Sequence, residues 1–86
     1  MTKSIHNASY KLLCKLLITR RKELHLSQYD LAEMLNKPQS FIAKIEGGER
    51  RIDVLEFLDF AYVLNIDPCE IIRVIAATYY SHRLTD

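Results

Sequence analysis

The most informative segment of the sequence is Gln39-Ser40-Phe41-Ile42-Ala43-Lys44-Ile45-Glu46, which predicts a short helix. It follows the turn Asn36-Lys37-Pro38, which itself follows a short predicted helix from Ser27 to Leu35. Ile42 and Ile45 are spaced to lie on one face of a helix and predict its inner side. Two helices joined by three or four residues form a helix-turn-helix, and the second of them can enter a DNA major groove.

Local signals mark the ends of both helices. Ser27 is a good N-cap for helix 2, with Asp30 three residues later. Asn36 can adopt the left-handed conformation that ends this helix. Pro38 pre-sets the first turn of helix 3, and we interpret His25 as a left-handed cap that ends helix 1.

The outward face of helix 3 is small and polar, because Gln39, Ser40, Ala43 and Lys44 remain when the isoleucines point inward. Glutamine can pair with an adenine edge, and lysine can donate to guanine acceptors. Phe41 has two interpretations, packing on helix 2 or contact with a thymine methyl group. We therefore predict base reading by Gln39, Ser40 and Lys44, with Phe41 as a fourth candidate.

Composition indicates one all-α domain. The chain has 86 residues, of which 49% are hydrophobic, and only two glycines and two prolines. Strand-like alternation is scarce, and a chain of this length forms a single domain. We expect residues 1–86 to be one helix-turn-helix domain, with a flexible arm at 1–7 and a frayed tail at 80–86.

Three further helices are predicted around this pair. Helix 1 is expected from about Asn7 to Glu23, helix 4 after an Asp53 cap, and helix 5 after an Asp67 cap with Pro68 as its first residue. The residues expected in the core from helix 4 are Leu55, Leu58, Ala61, Tyr62 and Leu64.

Charge is unevenly distributed although the net charge is only +1. Residues 1–25 hold six Lys or Arg against one Glu, whereas residues 52–86 hold two Arg against six Asp or Glu. A polarised molecule can present one end to a polyanion, although a solvated surface of mixed charge explains the same pattern.

Several function classes have little support. Cys14 and Cys69 are far apart, so we expect two buried apolar residues rather than a disulfide or zinc site. No apolar stretch approaches the ~20 residues of a membrane span, and no signal peptide is visible, so the expected location is the cytoplasm. The three histidines are scattered and no catalytic constellation is legible. We expect no enzymatic activity, no metal and no cofactor.

The stretch from Leu17 to Leu64 resembles the helix-turn-helix domains of lambda-repressor-like proteins, the Cro/Xre family. The resemblance implies a five-helix orthogonal bundle. The matching residues are Leu17, Arg21, Leu26-Ser27-Gln28, Leu31-Ala32, Lys37-Pro38-Gln39-Ser40-Phe41-Ile42, Lys44-Ile45-Glu46, Gly48 and Leu64.

The resemblance also implies roles for single residues. Gln28 would touch a phosphate and brace Gln39, which would read a base. Arg21 and Glu46 would form a partly buried structural ion pair. Gly47 departs from the family pattern, in which a longer polar residue is common.

The resulting hypothesis is a sequence-specific transcriptional regulator of the repressor type, with helix 3 in the major groove. Gln28, Lys37, Arg50 and Arg51 would bind phosphates. One helix reads only a few base pairs, so we expect a homodimer on a near-palindromic double-stranded operator. The dimer surface would comprise Ile72, Ile75, Tyr79 and Tyr80, unless these residues simply cover helix 1. The alternative hypothesis is a protein-interaction adaptor or antitoxin component that has a protein partner and binds DNA secondarily.

Overall fold

Five helices form the computed structural model, which describes the backbone of residues 2–85 and the side chains of residues 8–81. They are α1 (Thr2–Glu23), α2 (Gln28–Leu35), α3 (Gln39–Glu46), α4 (Val54–Val63) and α5 (Pro68–Thr85). Residues 2–85 contain no strand, so the fold is all-α as predicted. α1 packs against α5 and α3, and α2 packs against α3 and α4.

Both terminal helices are longer than expected. α1 begins at Thr2 rather than near Asn7, and α5 continues to Thr85. Residues 2–7 and 80–85 contain neither glycine nor proline, so nothing in the sequence breaks the helical backbone there. The flexibility assigned to the arm and the tail remains a prediction, since most of their side chains lie outside the described residues.

The predicted helix ends are confirmed by their hydrogen bonds and backbone angles. The Ser27 hydroxyl accepts from the Asp30 amide, and the Asp30 carboxylate accepts from the Ser27 amide. Asp53 and Glu56 form the same capping box at α4. His25 and Asn36 adopt the left-handed conformation, with φ of 59° and 56°. Pro38 lies one residue earlier than expected, at the N-cap of α3 rather than inside its first turn.

The core is built by α3 and the three helices α1, α2 and α4. Its fully buried side chains include Ile42 and Ile45 of α3, both at most 1% exposed. The rest of the buried cluster comes from the other helices and the end of α4: Leu17, Leu31, Ala32, Phe57, Phe60 and Leu64.

The prediction for α4 is wrong for three of five residues. Leu55, Leu58 and Tyr62 are 72%, 43% and 87% exposed, while Phe57 and Phe60 occupy the core instead. Apolar residues lie on both sides of this helix, so hydrophobic spacing does not distinguish the buried side from the exposed one. An exposed apolar stripe remains on α4.

The cysteine prediction holds for one residue of two. Cys14 is buried and its thiol donates to the Ile45 carbonyl at 3.4 Å. Burial raises the pKa of this thiol. Cys69 is exposed in the first turn of α5, where its backbone amide donates to the Asp67 carboxylate.

Candidate nucleic-acid interface

The reading face is defined here as the exposed side chains of α3, namely Gln39, Ser40, Ala43 and Lys44. All four are open to solvent, and no other part of the described chain covers them. Ile42 and Ile45 on the opposite side of the helix are buried and fix its rotation. The helix therefore presents a narrow polar strip while its apolar side is held in the core.

An ion pair joins the ends of α1 and α3. Two nitrogens of the Arg21 guanidinium donate to the two carboxylate oxygens of Glu46 at 2.7 and 3.0 Å. The two side chains are only 10% and 7% exposed, and Arg21 also donates to the Leu26 carbonyl at 2.7 Å. This is the pair that the resemblance implied, and it connects the end of α1 to the end of α3.

Gln28 takes part in the same network. Its side-chain amide donates to Glu46 at 2.9 Å, so this residue connects the start of α2 to the end of α3. The hydrogen bond leads to Glu46 and not to Gln39. Bracing of Gln39 and phosphate contact by Gln28 remain predictions.

Phe41 lies at the edge of the core. Its ring centroid is 6.4 Å from that of Phe60, and the ring is half-buried. The Lys37 ammonium and the Arg50 guanidinium lie over it, at 5.2 and 4.7 Å from the centroid. This arrangement favours the packing interpretation and makes Phe41 a platform for two cations beside the reading face.

The loop after α3 holds Arg50 and Arg51, and its cations already have partners. Arg50 forms a two-point ion pair with Glu56 at 2.9 and 3.0 Å, which lowers the pKa of that carboxyl. Arg51 lies over the Tyr10 ring, with 4.6 Å between its guanidinium carbon and the centroid. Arg50 lies over Phe41 of α3, but its charge is already balanced by Glu56, whereas Arg51 lines a cleft with Ile75 and Tyr79 of α5.

Two residues outside the predicted site position this loop and α4. The Tyr10 hydroxyl donates to the Arg50 carbonyl at 3.0 Å and accepts from the Ile52 amide at 3.1 Å. Arg20 donates to the Leu64 carbonyl at 2.9 Å, at the end of α4. Neither contact could be predicted from residue spacing, because the partners are backbone atoms 40 and 44 residues away.

The four residues assigned to dimerisation divide into two groups. Ile72 and Tyr80 are exposed, at 54% and 59%. Ile75 and Tyr79 are half-buried and line a cleft with Ser9 and Leu13 of α1. The second group therefore fits the alternative interpretation, in which α5 covers α1.

Two short helices, α2 and α3, are joined by a tight turn, and the second presents an exposed polar strip, which is the arrangement of a helix-turn-helix protein. A family model described as helix-turn-helix matches residues 17–71, which is more than half of the chain. The chain belongs to the Cro/Xre family of helix-turn-helix proteins and is a DNA-binding transcriptional regulator.

Several solved structures resemble the chain. An XRE-family like protein from Pseudomonas syringae pv. tomato str. DC3000 is 43% identical, with a TM-score of 0.82 over 88% of this chain and 93% of that one. The restriction-modification controller protein C.AhdI from Aeromonas hydrophila is 28% identical, with a TM-score of 0.68 over 74% and 97%. No match was found among curated proteins. Among the described residues, no helix is both long and apolar enough to cross a bilayer.

Proposed function

We propose that this protein is a sequence-specific repressor that binds a near-palindromic DNA operator as a homodimer, with α3 in the major groove. The observation that carries the proposal is the reading face on a helix whose opposite side is locked by Ile42 and Ile45. Gln39 and Lys44 offer the donors and acceptors that discriminate base edges, and Ser40 can serve either kind of base.

Phosphate contacts would fix the position of α3 without adding sequence information. Lys37, which lies over the Phe41 ring of α3, and Arg51, which lies over the Tyr10 ring of α1, are both exposed cations. The N–H groups at the starts of α2 and α3 can also face phosphates. Gln28 is hydrogen-bonded to Glu46, and Arg50 is paired with Glu56. Each would contact a phosphate only by leaving its carboxylate or by sharing its donors between the carboxylate and the phosphate.

Two copies are needed because eight helical residues span only a few base pairs. The exposed stripe of α4 offers an interface, since Val54, Leu55, Leu58 and Tyr62 are all open to solvent. Next to it lies an apolar groove of about 500 Å³ that includes Phe57 and Ile72. A stripe beside a groove can pair with its own copy across a two-fold axis, and the half-sites would then lie about 34 Å apart.

Repression is proposed because occupancy of an operator is enough to exclude another DNA-binding protein. The C.AhdI neighbour is by its name a controller protein of restriction-modification, which supports a regulatory role for this chain. Such a regulator works where the DNA is, so we retain the cytoplasm as its location.

Selection of bound sequences from a random duplex pool tests the proposal. We expect a motif with two inverted half-sites one helical turn apart. Gln39→Ala should lose about 1–3 kcal/mol of discrimination at one position of each half-site, measured by competition between matched and single-substituted duplexes. An equal loss on selected and random duplexes would remove Gln39 from the reading role.

The α4 stripe also favours a second candidate, an adaptor or antitoxin component whose partner covers that surface. In this case the purified protein would remain a monomer, and a protein partner would protect α4 amides from hydrogen exchange. A stable homodimer that binds the selected duplex without a partner would exclude it.

A further inference from the structure

A groove of about 390 Å³ separates α1 from the end of α3. We call it the α1–α3 groove, and its walls include Lys11 and Lys15 from α1 and Gly47 and Gly48 after α3. Lys11 and Lys15 are one helical turn apart and both are exposed, so their ammonium groups can reach the same edge of the groove.

The groove adjoins the reading face. The Gly47 amide donates to the Ala43 carbonyl at 2.9 Å, so Gly47 lies one helical turn after Ala43, on the exposed side of α3. A glycine at this position adds no side chain. The approach from the reading face to the two lysines is therefore open.

The charge of the groove is positive. Neither Lys11 nor Lys15 belongs to an ion pair among the described side chains, whose three pairs involve Arg20, Arg21 and Arg50. Glu46 also borders the groove, but its carboxylate already accepts hydrogen bonds from Arg21 and Gln28. The two lysines are thus uncompensated cations next to the polar strip of α3.

We propose that Lys11 and Lys15 bind the phosphate backbone of the same duplex whose major groove α3 occupies. An α-helix with its side chains is about 10–12 Å across and the major groove is about 12 Å wide, so backbone strands run directly beside an inserted helix. One of those strands would follow the α1–α3 groove past Gly47. This inference rests on the proposed function, because it requires α3 to be the inserted helix.

The test is the salt dependence of binding by a Lys11→Gln/Lys15→Gln variant to the duplex selected with the native protein. Each lost phosphate contact reduces the slope of log K against log salt by about 0.9. Between about 50 and 200 mM salt, the variant should therefore lose about tenfold less affinity than the native protein does. Base preferences should not change.

Two control variants separate a local contact from other causes. Lys11→Arg/Lys15→Arg retains both charges and should retain the native slope. Lys22→Gln removes an exposed cation from the same helix outside the groove lining, and we expect a much smaller change in slope. A native slope in the Gln variant, or an equal fall in the Lys22→Gln variant, would overturn the proposal.

The failure of this inference is distinguishable from that of the proposed function. If Gln39→Ala changes base preference while the double Gln variant leaves the salt slope unchanged, α3 reads the DNA and the α1–α3 groove does not contact it. If the native protein selects no motif and binds no duplex, the proposed function and this inference both fail.

Discussion

The guanidinium of Arg50 donates to both carboxylate oxygens of Glu56, at 2.9 and 3.0 Å, directly above the ring of Phe41. The sequence suggested a free phosphate-binding arginine in this exposed loop. In the structure its charge is balanced and its direction is fixed. Glu56 also caps α4, so the same carboxylate orders a helix and restrains a cation beside the reading face.

This pairing predicts unequal effects of the loop arginines on DNA binding. Arg51→Ala should reduce the salt slope by about one, whereas Arg50→Ala should reduce it by clearly less than one. Glu56→Gln keeps a capping side chain but releases the charge of Arg50, so the slope and the affinity for random duplexes should rise. A full unit lost in Arg50→Ala would mean that Arg50 leaves Glu56 when DNA binds.

The buried ion pair predicts a large stability effect at α3. Arg21→Met and Glu46→Leu should each lower the free energy of unfolding by about 3–5 kcal/mol, because each leaves one poorly solvated charge behind. The double variant Arg21→Met/Glu46→Leu should lose much less than the two single losses together. Urea unfolding of all four proteins provides the measurement, and additive losses would contradict a coupled pair.

Removal of the Tyr10 hydroxyl should destabilise the folded protein, because this group makes two hydrogen bonds to the loop after α3. Tyr10→Phe should lower the free energy of unfolding by about 1–3 kcal/mol, since the half-buried Ile52 amide loses its acceptor. Tyr29→Phe is the matched control, because Tyr29 is 59% exposed and its hydroxyl can remain hydrated. Urea unfolding should leave the control unchanged, and equal effects in the two variants would argue against the loop contact.

The loss of stability at low pH should depend on two carboxylates that cap helices, Asp30 and Glu56. Hydrogen bonds from Arg50 and the Asp53 amide lower the pKa of Glu56, and those from Ser27 lower the pKa of Asp30. The unfolded chain therefore binds protons first, and this stabilisation is complete well above pH ~4 and is lost as pH falls through the lowered pKa values. Asp30→Asn/Glu56→Gln should lose less stability than the native protein between pH 7 and pH 2 in urea titrations.

The exposed stripe of α4 is the expected interface of the proposed homodimer. Leu55→Glu should convert the dimer to a monomer in sedimentation experiments, because it places a charge in an apolar interface. Met34→Glu alters an exposed apolar residue on α2 and should leave the dimer intact. Dissociation by Tyr80→Glu with an intact Leu55→Glu dimer would instead assign the interface to the end of α5.

The features that could be predicted from the sequence are those that depend on residues close together in the chain, above all the helix ends. Ser27 with Asp30, Asp53 with Glu56, and Asn36 after Leu35 set helix ends through atoms a few residues apart, so their patterns could be interpreted directly. Ile42 and Ile45 likewise indicated the rotation of α3, since every other residue of that helix except Phe41 is polar or small.

The buried side of α4 and the partners of Arg50 and Arg51 depend on how the helices pack together, so they became known from the tertiary structure alone. Phe57 and Phe60 lie in the core and Leu55, Leu58 and Tyr62 lie on the exposed side because α4 packs against α2 and α5 in one rotation, and periodicity carries no information about that packing. Arg20 and Tyr10 bind backbone atoms 44 and 40 residues away. Such contacts depend on how the helices pack, and a backbone carbonyl has no residue type that a sequence could reveal.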